Sequence, residues 1–358
     1  MKIFRSSSIL ALCASGFSIV LSTLALLVVT LSSNQLPKYA IPISRTSGGG
    51  VSLRDFTGTD DTATANNDAA IVRWLSACSR DGQVPCYAPA GTYRTINSIQ
   101  SLTSNLAGNP STLRIKGDGP GQTVFFNDNT AAVPIFDIGS DIYQSSNVIL
   151  EDFSVRAPRT ANVGNVGIKI RNRGGSILRN IQIDGTYVGL DFEKADYAPV
   201  LDNMTVSNTK CTGVRFSDDN SANAGDIRSL YIFSAGNVAR CFALEIGRGG
   251  GMRAHVDIEG SWGGISLTNG NSIILSGDVE GSGPAGNLMF FGSNSGITLS
   301  ALTLSNSSST TWSNVSGLNI LGVQFYNYSV VLDSSSTAWL GHYSLEGTST
   351  LSCKGLCR

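Results

Sequence analysis

Charge is scarce in this sequence. Asp, Glu, Lys and Arg make up 14% of its 358 residues, against about 25% in an average globular chain. Low charge and 40 glycines argue against a helix-rich fold. An excess of basic residues is absent as well, since 25 Lys and Arg stand against 26 Asp and Glu. The chain therefore lacks the cationic footprint that neutralises a phosphate backbone, and nucleic acid is excluded as an expected partner. Helical periodicity is missing from most of the chain too. A long uncharged apolar run occurs only near the start, at residues 9–31, behind Lys2 and Arg5. This run reads as an export signal. Its 23 residues lie closer to the roughly 20 that a spanning helix needs than to the 7–15 of a cleaved signal core. The positive flank keeps the start of the chain inside and sends the rest across. Residues 1–33 are thus expected to be a signal peptide or a signal-anchor helix, and 34–50 a flexible linker.

Beyond that segment the sequence repeats itself. Glycine or alanine, an apolar residue, any residue and a second apolar residue recur at 167–170, 189–192, 213–216, 243–246 and 264–267, in steps of 22, 24, 30 and 21. A second phrase, apolar-polar-polar-apolar-any-apolar, starts at Leu150, Leu178, Leu201 and Ile227. Short period-2 strands separated by Gly, Asn and Asp turns are too short for helices, and coils stacked in a parallel β-solenoid are their natural arrangement. Equivalent positions then form columns about 4.8 Å apart. Glu151, Arg179, Asp202 and Arg228 form one column, and Lys169, Asp191, Arg215 and Glu245 another; both alternate in sign and read as structural ladders. Asp152, Asn180, Asn203 and Ser229 have the small polar side chains of a stacked turn.

Six cysteines follow the apolar run, an even number suited to an oxidising compartment. Cys78 with Cys86 would close a short loop, and Cys353 with Cys357 would tie the end of the chain. Cys211 and Cys241 each stand two residues before a repeat glycine or alanine, which makes them column neighbours. The bland reading of each pair is two buried free thiols.

Residues 51–126 have another pattern: a strand-like segment ending Asp55-Phe56, the polar turn Thr59-Asp60-Asp61-Thr62, and an amphipathic helix. Asn66 or Asn67 would cap the helix, and Ile71, Leu75 and Cys78 share one of its faces. Pro89-Ala90-Gly91-Thr92-Tyr93 and Gly117-Asp118-Gly119 come after it. This order resembles the opening of the pectin-lyase-like superfamily, the domain shared by rhamnogalacturonases, epimerase-like pectate lyases and phage tailspikes. The resemblance implies an all-β, right-handed parallel β-helix over 51–350, with a capping region at 51–126, coils at 147–350 and a tail at 351–358. The Asp-Asp and Gly-His-Gly phrases of the polygalacturonase-like hydrolases are missing; Thr209-Lys210 and Trp262-Gly263-Gly264 stand in their places. Arg114-Ile115-Lys116 echoes that group's Arg-Ile-Lys but lies too early in the chain.

Chemistry concentrates in His255-Val256-Asp257-Ile258-Glu259 and, 21 residues after Asp257, Asp278-Val279-Glu280. With Ile258 and Val279 inward, all four carboxylates point outward on two adjacent coils. Spacings of about 5 Å between coils and about 6.5–7 Å along a strand would serve either a retaining or an inverting glycosidase. The four are the candidate catalytic residues. Calcium is their alternative ligand, and otherwise no cofactor is required. The competing reading is a solvated ladder, in which Asp257 and Asp278 extend the turn column of Asp152 and Asn180, and His255 sits in a column of leucine and isoleucine. Lys210 and Arg240 are the nearest basic pair for neutralising a uronate, Trp262 a candidate for stacking on sugar, and Asp218 and Asp219 a candidate ligand loop. The expectation is an exported, secreted or membrane-anchored enzyme, a lyase or glycoside hydrolase acting on a pectin-like or other acidic polysaccharide. The alternative is a non-catalytic surface or tailspike-like protein that binds glycan. The oligomeric state and any metal stay open.

Overall fold

The structure, a computed structural model, describes residues 50–358 except 80–83, 102–112, 129–132, 140–147, 159–163, 172–174, 194–197, 218–221, 237, 239–240, 282–288 and 307. The expected export helix and nearly all of the expected linker lie outside the described residues, as do Asp218, Asp219 and Arg240. Among the described residues no helix is long and apolar enough to cross a membrane.

Alternation of apolar and polar residues folds the chain into coils. We label the coil strands β1 (Val148–Arg156), β2 (Val166–Arg171), β3 (Ile177–Asp184), β4 (Val188–Glu193), β5 (Val200–Ser207), β6 (Val214–Phe216), β7 (Asp226–Phe233), β8 (Leu244–Gly250), β9 (Arg253–Ser261), β10 (Ile265–Asn271), β11 (Ile274–Gly281), β12 (Thr298–Ser305) and β13 (Leu318–Tyr326). Strands β1, β3, β5, β7, β9, β11, β12 and β13 are successive neighbours in one parallel sheet. In a second, β2, β4, β6, β8 and β10 follow one another. The register matches the repeat, with Leu178 opposite both Leu150 and Leu201 and Asp191 opposite both Lys169 and Arg215. Inward residues are fully buried, among them Phe192 and Phe216, whose rings stack at 4.7 Å. The repeat glycine has a steric cause. A Cβ on Gly189 would come within 2.5 Å of both the Gly213 carbonyl oxygen and a Val206 methyl.

Five long strands of the first sheet, β1, β3, β5, β12 and β13, turn a corner at one left-handed residue. Asp152, Asn180 and Asn203 hold φ of 62°, 52° and 53° there, a region that Asn and Asp tolerate better than other side-chain-bearing residues. Their side chains form a ladder, with Asn180 donating to Asp152 (2.7 Å) and Asn203 to Asn180 (3.0 Å). Strand β9 drops this residue. Ile227 and Leu230 of β7 face Ala254 and Val256, one residue closer together. Strand β11 keeps the shortened path, with Gly277 opposite Val256, and β12 restores the corner at Ala301.

Helix α1 (Asp68–Ser79) buries Ala70, Ile71, Trp74, Leu75 and Cys78. It packs against Val51–Ser52 and Ile99–Ser101, the terminal strands of the two sheets, and so covers an edge open to other chains. Asn66 caps it, accepting from the Asp68 amide at 3.1 Å. Asn67 is buried and ties Asp60 to Arg94 instead. Disulfides join Cys78–Cys86, Cys211–Cys241 and Cys353–Cys357, with Cα separations of 5.3, 5.0 and 6.4 Å. The expected tail is part of the stack, since Leu351–Cys353 and Leu356–Cys357 pair in parallel with preceding strands.

Candidate functional site

Most charges on the coils are spent on one another. Arg179 reaches Glu151 and Asp202 at 3.3 Å each, and Arg114 takes the other Glu151 oxygen at 2.8 Å. Arg171 grips Asp137 through two bonds. Two rungs depart from simple alternation. Arg228 turns to Asp226 of its own strand (2.7 Å) rather than to Asp202, and Lys169 reaches diagonally to Glu193 (2.6 Å) because Arg215 already occupies Asp191.

The second leg of the first sheet, past the corner, is different. Two outward columns run along it. One is Ser154, Gln182, Thr205, Tyr231, Asp257, Asp278, Thr303 and Gln324. In the other, Arg156 faces Asp184, followed by Ser207, Phe233 and Glu259, then Glu280, Ser305, Tyr326 and Glu346. Beyond Arg156 these columns hold six carboxylates and no Lys or Arg. Asp257 and Asp278 are direct partners on adjacent strands, about 4.8 Å apart along the stack. Asp257, Asp278 and Glu280 are exposed, and Glu259 is half-buried. Partial burial raises the pKa of Asp257 above the ordinary carboxylate range, and the charges of Glu259 and Asp278 add to this. Asp278 is raised in the same way by burial, Glu280 and Glu259. A carboxyl that holds its proton beside one that has lost it is what acid–base chemistry on a glycosidic bond needs. Tyr231 donates to Glu259 at 3.0 Å and stacks beside Phe233 with ring centroids 6.4 Å apart. Phe233 is 42% exposed, so an aromatic face adjoins the acids.

The shortened corner decides this arrangement. It moves Asp257 and Asp278 out of the turn column of Asp152, Asn180 and Asn203, and into the column of Thr205 and Tyr231. His255 is likewise exposed rather than set in an apolar column, with its Nδ1 3.1 Å from the Ser276 hydroxyl. Lys210 is exposed and Trp262 half-buried, both on the bends that lead into the second sheet and outside the two acid columns. Among the described residues no group of three or more His, Cys, Asp or Glu is placed to hold a metal ion.

A second feature lies on the outer face of the second sheet. A cavity of about 330 Å³ is lined by Arg215, Ser217, Glu245, Gly247, Ser266 and Thr268. Asp191 is fully buried beneath it and accepts two bonds from Arg215, at 2.9 and 2.6 Å. Glu245 accepts from the Thr212 hydroxyl (2.8 Å) and the Phe242 amide (3.3 Å). Burial raises its pKa, and these bonds and the Arg215 charge only partly oppose the shift. Reading Glu245 as one more ladder rung overlooks this cavity. The available signal is that the column stops alternating there, because Ser266 follows Glu245 where a cation would continue the ladder.

No protein-family model and no curated protein matches the sequence. Among solved structures, the chain is similar to the N-terminal fragment of gene product 12 of bacteriophage Phi29, with 15% identity and a TM-score of 0.60 over 92% of this chain and 65% of that one. It is also similar to the catalytic unit of the thermostable GH87 α-1,3-glucanase of Streptomyces thermodiastaticus, with 13% identity and a TM-score of 0.50 over 88% of this chain and 69% of that one. The fold is an all-β parallel β-solenoid with one described α-helix. The chain spans slightly less than two thirds of the phage fragment. On this solenoid the four carboxylates share one flank, whereas Lys210 and Trp262 lie outside the two acid columns.

Proposed function

We propose that the chain is an exported carbohydrate-active β-helix that hydrolyses a polysaccharide on the flank of its first sheet, with Asp257 and Asp278 as the reacting pair. One observation carries the reading: two carboxylates paired across adjacent coils, both with raised pKa, on a flank whose two columns hold no Lys or Arg beyond Arg156. The spacing of the paired strands that carry them, about 4.8 Å, is close to the roughly 5–5.5 Å between the carboxyl groups of retaining glycosidases. The protonated member gives its proton to the glycosidic oxygen while the ionised member attacks the sugar carbon. Water then hydrolyses that ester and returns the proton. Glu259 and Glu280 keep the field negative, and Tyr231 and Phe233 offer a surface for sugar rings.

A lyase would need a cation to neutralise the uronate carboxylate. None stands beside Asp257 and Asp278 in the columns, where Arg156 is several coils away, which favours a hydrolase and an uncharged polymer over the acidic one expected from the sequence. A GH87 α-1,3-glucanase catalytic unit has a similar fold, which supports a hydrolase on such a frame. Three disulfides suit an oxidising compartment.

The test is incubation of the full chain with neutral and acidic polysaccharides, with and without calcium, following reducing ends and the ultraviolet absorbance of unsaturated sugars. New reducing ends without the absorbance, lost in Asp257→Asn and Asp278→Asn, are expected. The absorbance would assign a lyase instead. Silence from folded protein would favour a glycan-binding role without catalysis.

A further inference from the structure

We propose that the cavity over β6, β8 and β10 is a second saccharide site, one that takes a single uncharged, hydroxyl-rich ring and is separate from the Asp257–Asp278 flank. Its size, about 330 Å³, falls at the small end of ligand pockets, which run from roughly 300 to 1,000 Å³. That suits one ring of a polymer rather than a bound stretch of it. The chemistry of the wall narrows the ligand further. The positive charge of Arg215 is already matched by Asp191 through two short bonds, so an anion would meet no unmatched cation. A divalent metal would find a single carboxyl, Glu245, at the opening. What remains, beside Phe216 and Ile246, is a mixture of hydrogen-bonding groups: the Glu245 carboxyl, the guanidinium edge, the Ser266 hydroxyl, and the hydroxyl oxygens of Ser217 and Thr268, which donate to the Phe192 and Gly247 carbonyls and can still accept. Sugar hydroxyls donate and accept at once, and such a wall satisfies both roles.

The site is also built rather than incidental. Glu245 is held from one side by Thr212 and the Phe242 amide, and Arg215 is locked from beneath by a buried carboxylate. Both side chains therefore reach the cavity with their rotamers already paid for. Thr212 and Phe242 adjoin Cys211 and Cys241, whose disulfide clamps the bend that presents Glu245. The inference rests on the glycan reading for its ligand class, and not on catalysis at the flank.

Saturation-transfer NMR on the full chain, with glucose, galactose, N-acetylglucosamine and galacturonic acid as probes, tests it. The expected result is binding of a neutral sugar, weakened at least tenfold by Ser266→Leu, which fills the cavity, and several-fold by the isosteric Glu245→Gln, but unchanged by Asp257→Asn. Ser266 faces outward, so circular dichroism serves to confirm that the variants fold, and Glu245→Gln carries the test if the leucine variant does not. Preference for galacturonic acid would overturn the assignment of ligand. Loss of binding in Asp257→Asn with retention in Glu245→Gln would place the sugar on the flank and overturn the site. Folded protein that binds none of the probes would overturn both. Cleavage of polysaccharide is not a readout here, so silence in the hydrolysis assay leaves this result independent.

Discussion

Replacing Arg215 with methionine should be among the most damaging single changes on the outer face of the coils. Asp191 is fully buried, and the two Arg215 bonds at 2.9 and 2.6 Å are what compensate its charge. Methionine retains the aliphatic stem but leaves a carboxylate shielded from water, whose remaining cationic neighbour, Lys169, is engaged with Glu193. Breaking a buried pair in this way costs about 3–5 kcal/mol. At 1.4 kcal/mol per tenfold change, that is about two to three and a half orders of magnitude in the folding constant. The pair itself is worth far less, because desolvation of both ions offsets most of their attraction. The double variant Asp191→Asn/Arg215→Met should therefore recover most of the loss and fall within about 1–2 kcal/mol of the parent. Equilibrium unfolding in urea, followed by circular dichroism with the disulfides intact, measures all four corners of the cycle. A single variant within about 0.5 kcal/mol of the parent, or a double variant no better than the single, would refute the claim that Asp191 depends on Arg215.

Asp278→Asn should stabilise the protein at neutral pH and leave it unchanged in acid. The folded-state pKa of Asp278 is raised by burial and by neighbouring carboxylates. Its contribution is therefore fully present below the ordinary pKa near 3.9 and is lost as pH rises through the higher folded value. Melting temperatures of the two proteins from pH 3 to 8 should diverge as pH rises, and parallel curves would count against the cluster. Gly277→Ala should cost more than about 3 kcal/mol, because its φ is 117° and a Cβ would sit 1.9 Å from the Val256 carbonyl oxygen. Gly322→Ala, at the corner opposite Ala301 and with no heavy atom nearer than 3.7 Å, should cost only about 1–2 kcal/mol, and equal losses in urea titrations would contradict the steric account. Replacing Cys211 and Cys241 by serine should cost about 3–4 kcal/mol by the loop-closure estimate, given their separation of 30 residues; a change under about 1 kcal/mol would show that the bend is held by its hydrogen bonds alone.

Much of this molecule is legible in its sequence, for a physical reason. Strand alternation and coil stacking are local and periodic, so a repeat of 21 to 30 residues already puts Leu178 beside Leu150, Asp191 beside Lys169, and Cys211 beside Cys241. The capping helix is legible as well, because its apolar face and the asparagines ahead of it are close in the chain. What the pattern leaves open is whatever depends on a single backbone angle or on the reach of a long side chain. One missing residue at the β9 corner transfers Asp257 and Asp278 from a turn column to a flank and turns His255 outward, although no periodicity changes around it. Lys169 and Arg228 find partners other than those directly across, because a flexible side chain chooses among several neighbours once the coils are stacked. The cavity beside Glu245 takes its lining from three coils, with Ser266 and Gly247 among the residues that meet there. Strand order and register were thus set by the sequence through its period, whereas the acid flank, the Asp191–Arg215 clamp and the sugar-sized cavity were decided by contacts between coils that no single coil contains.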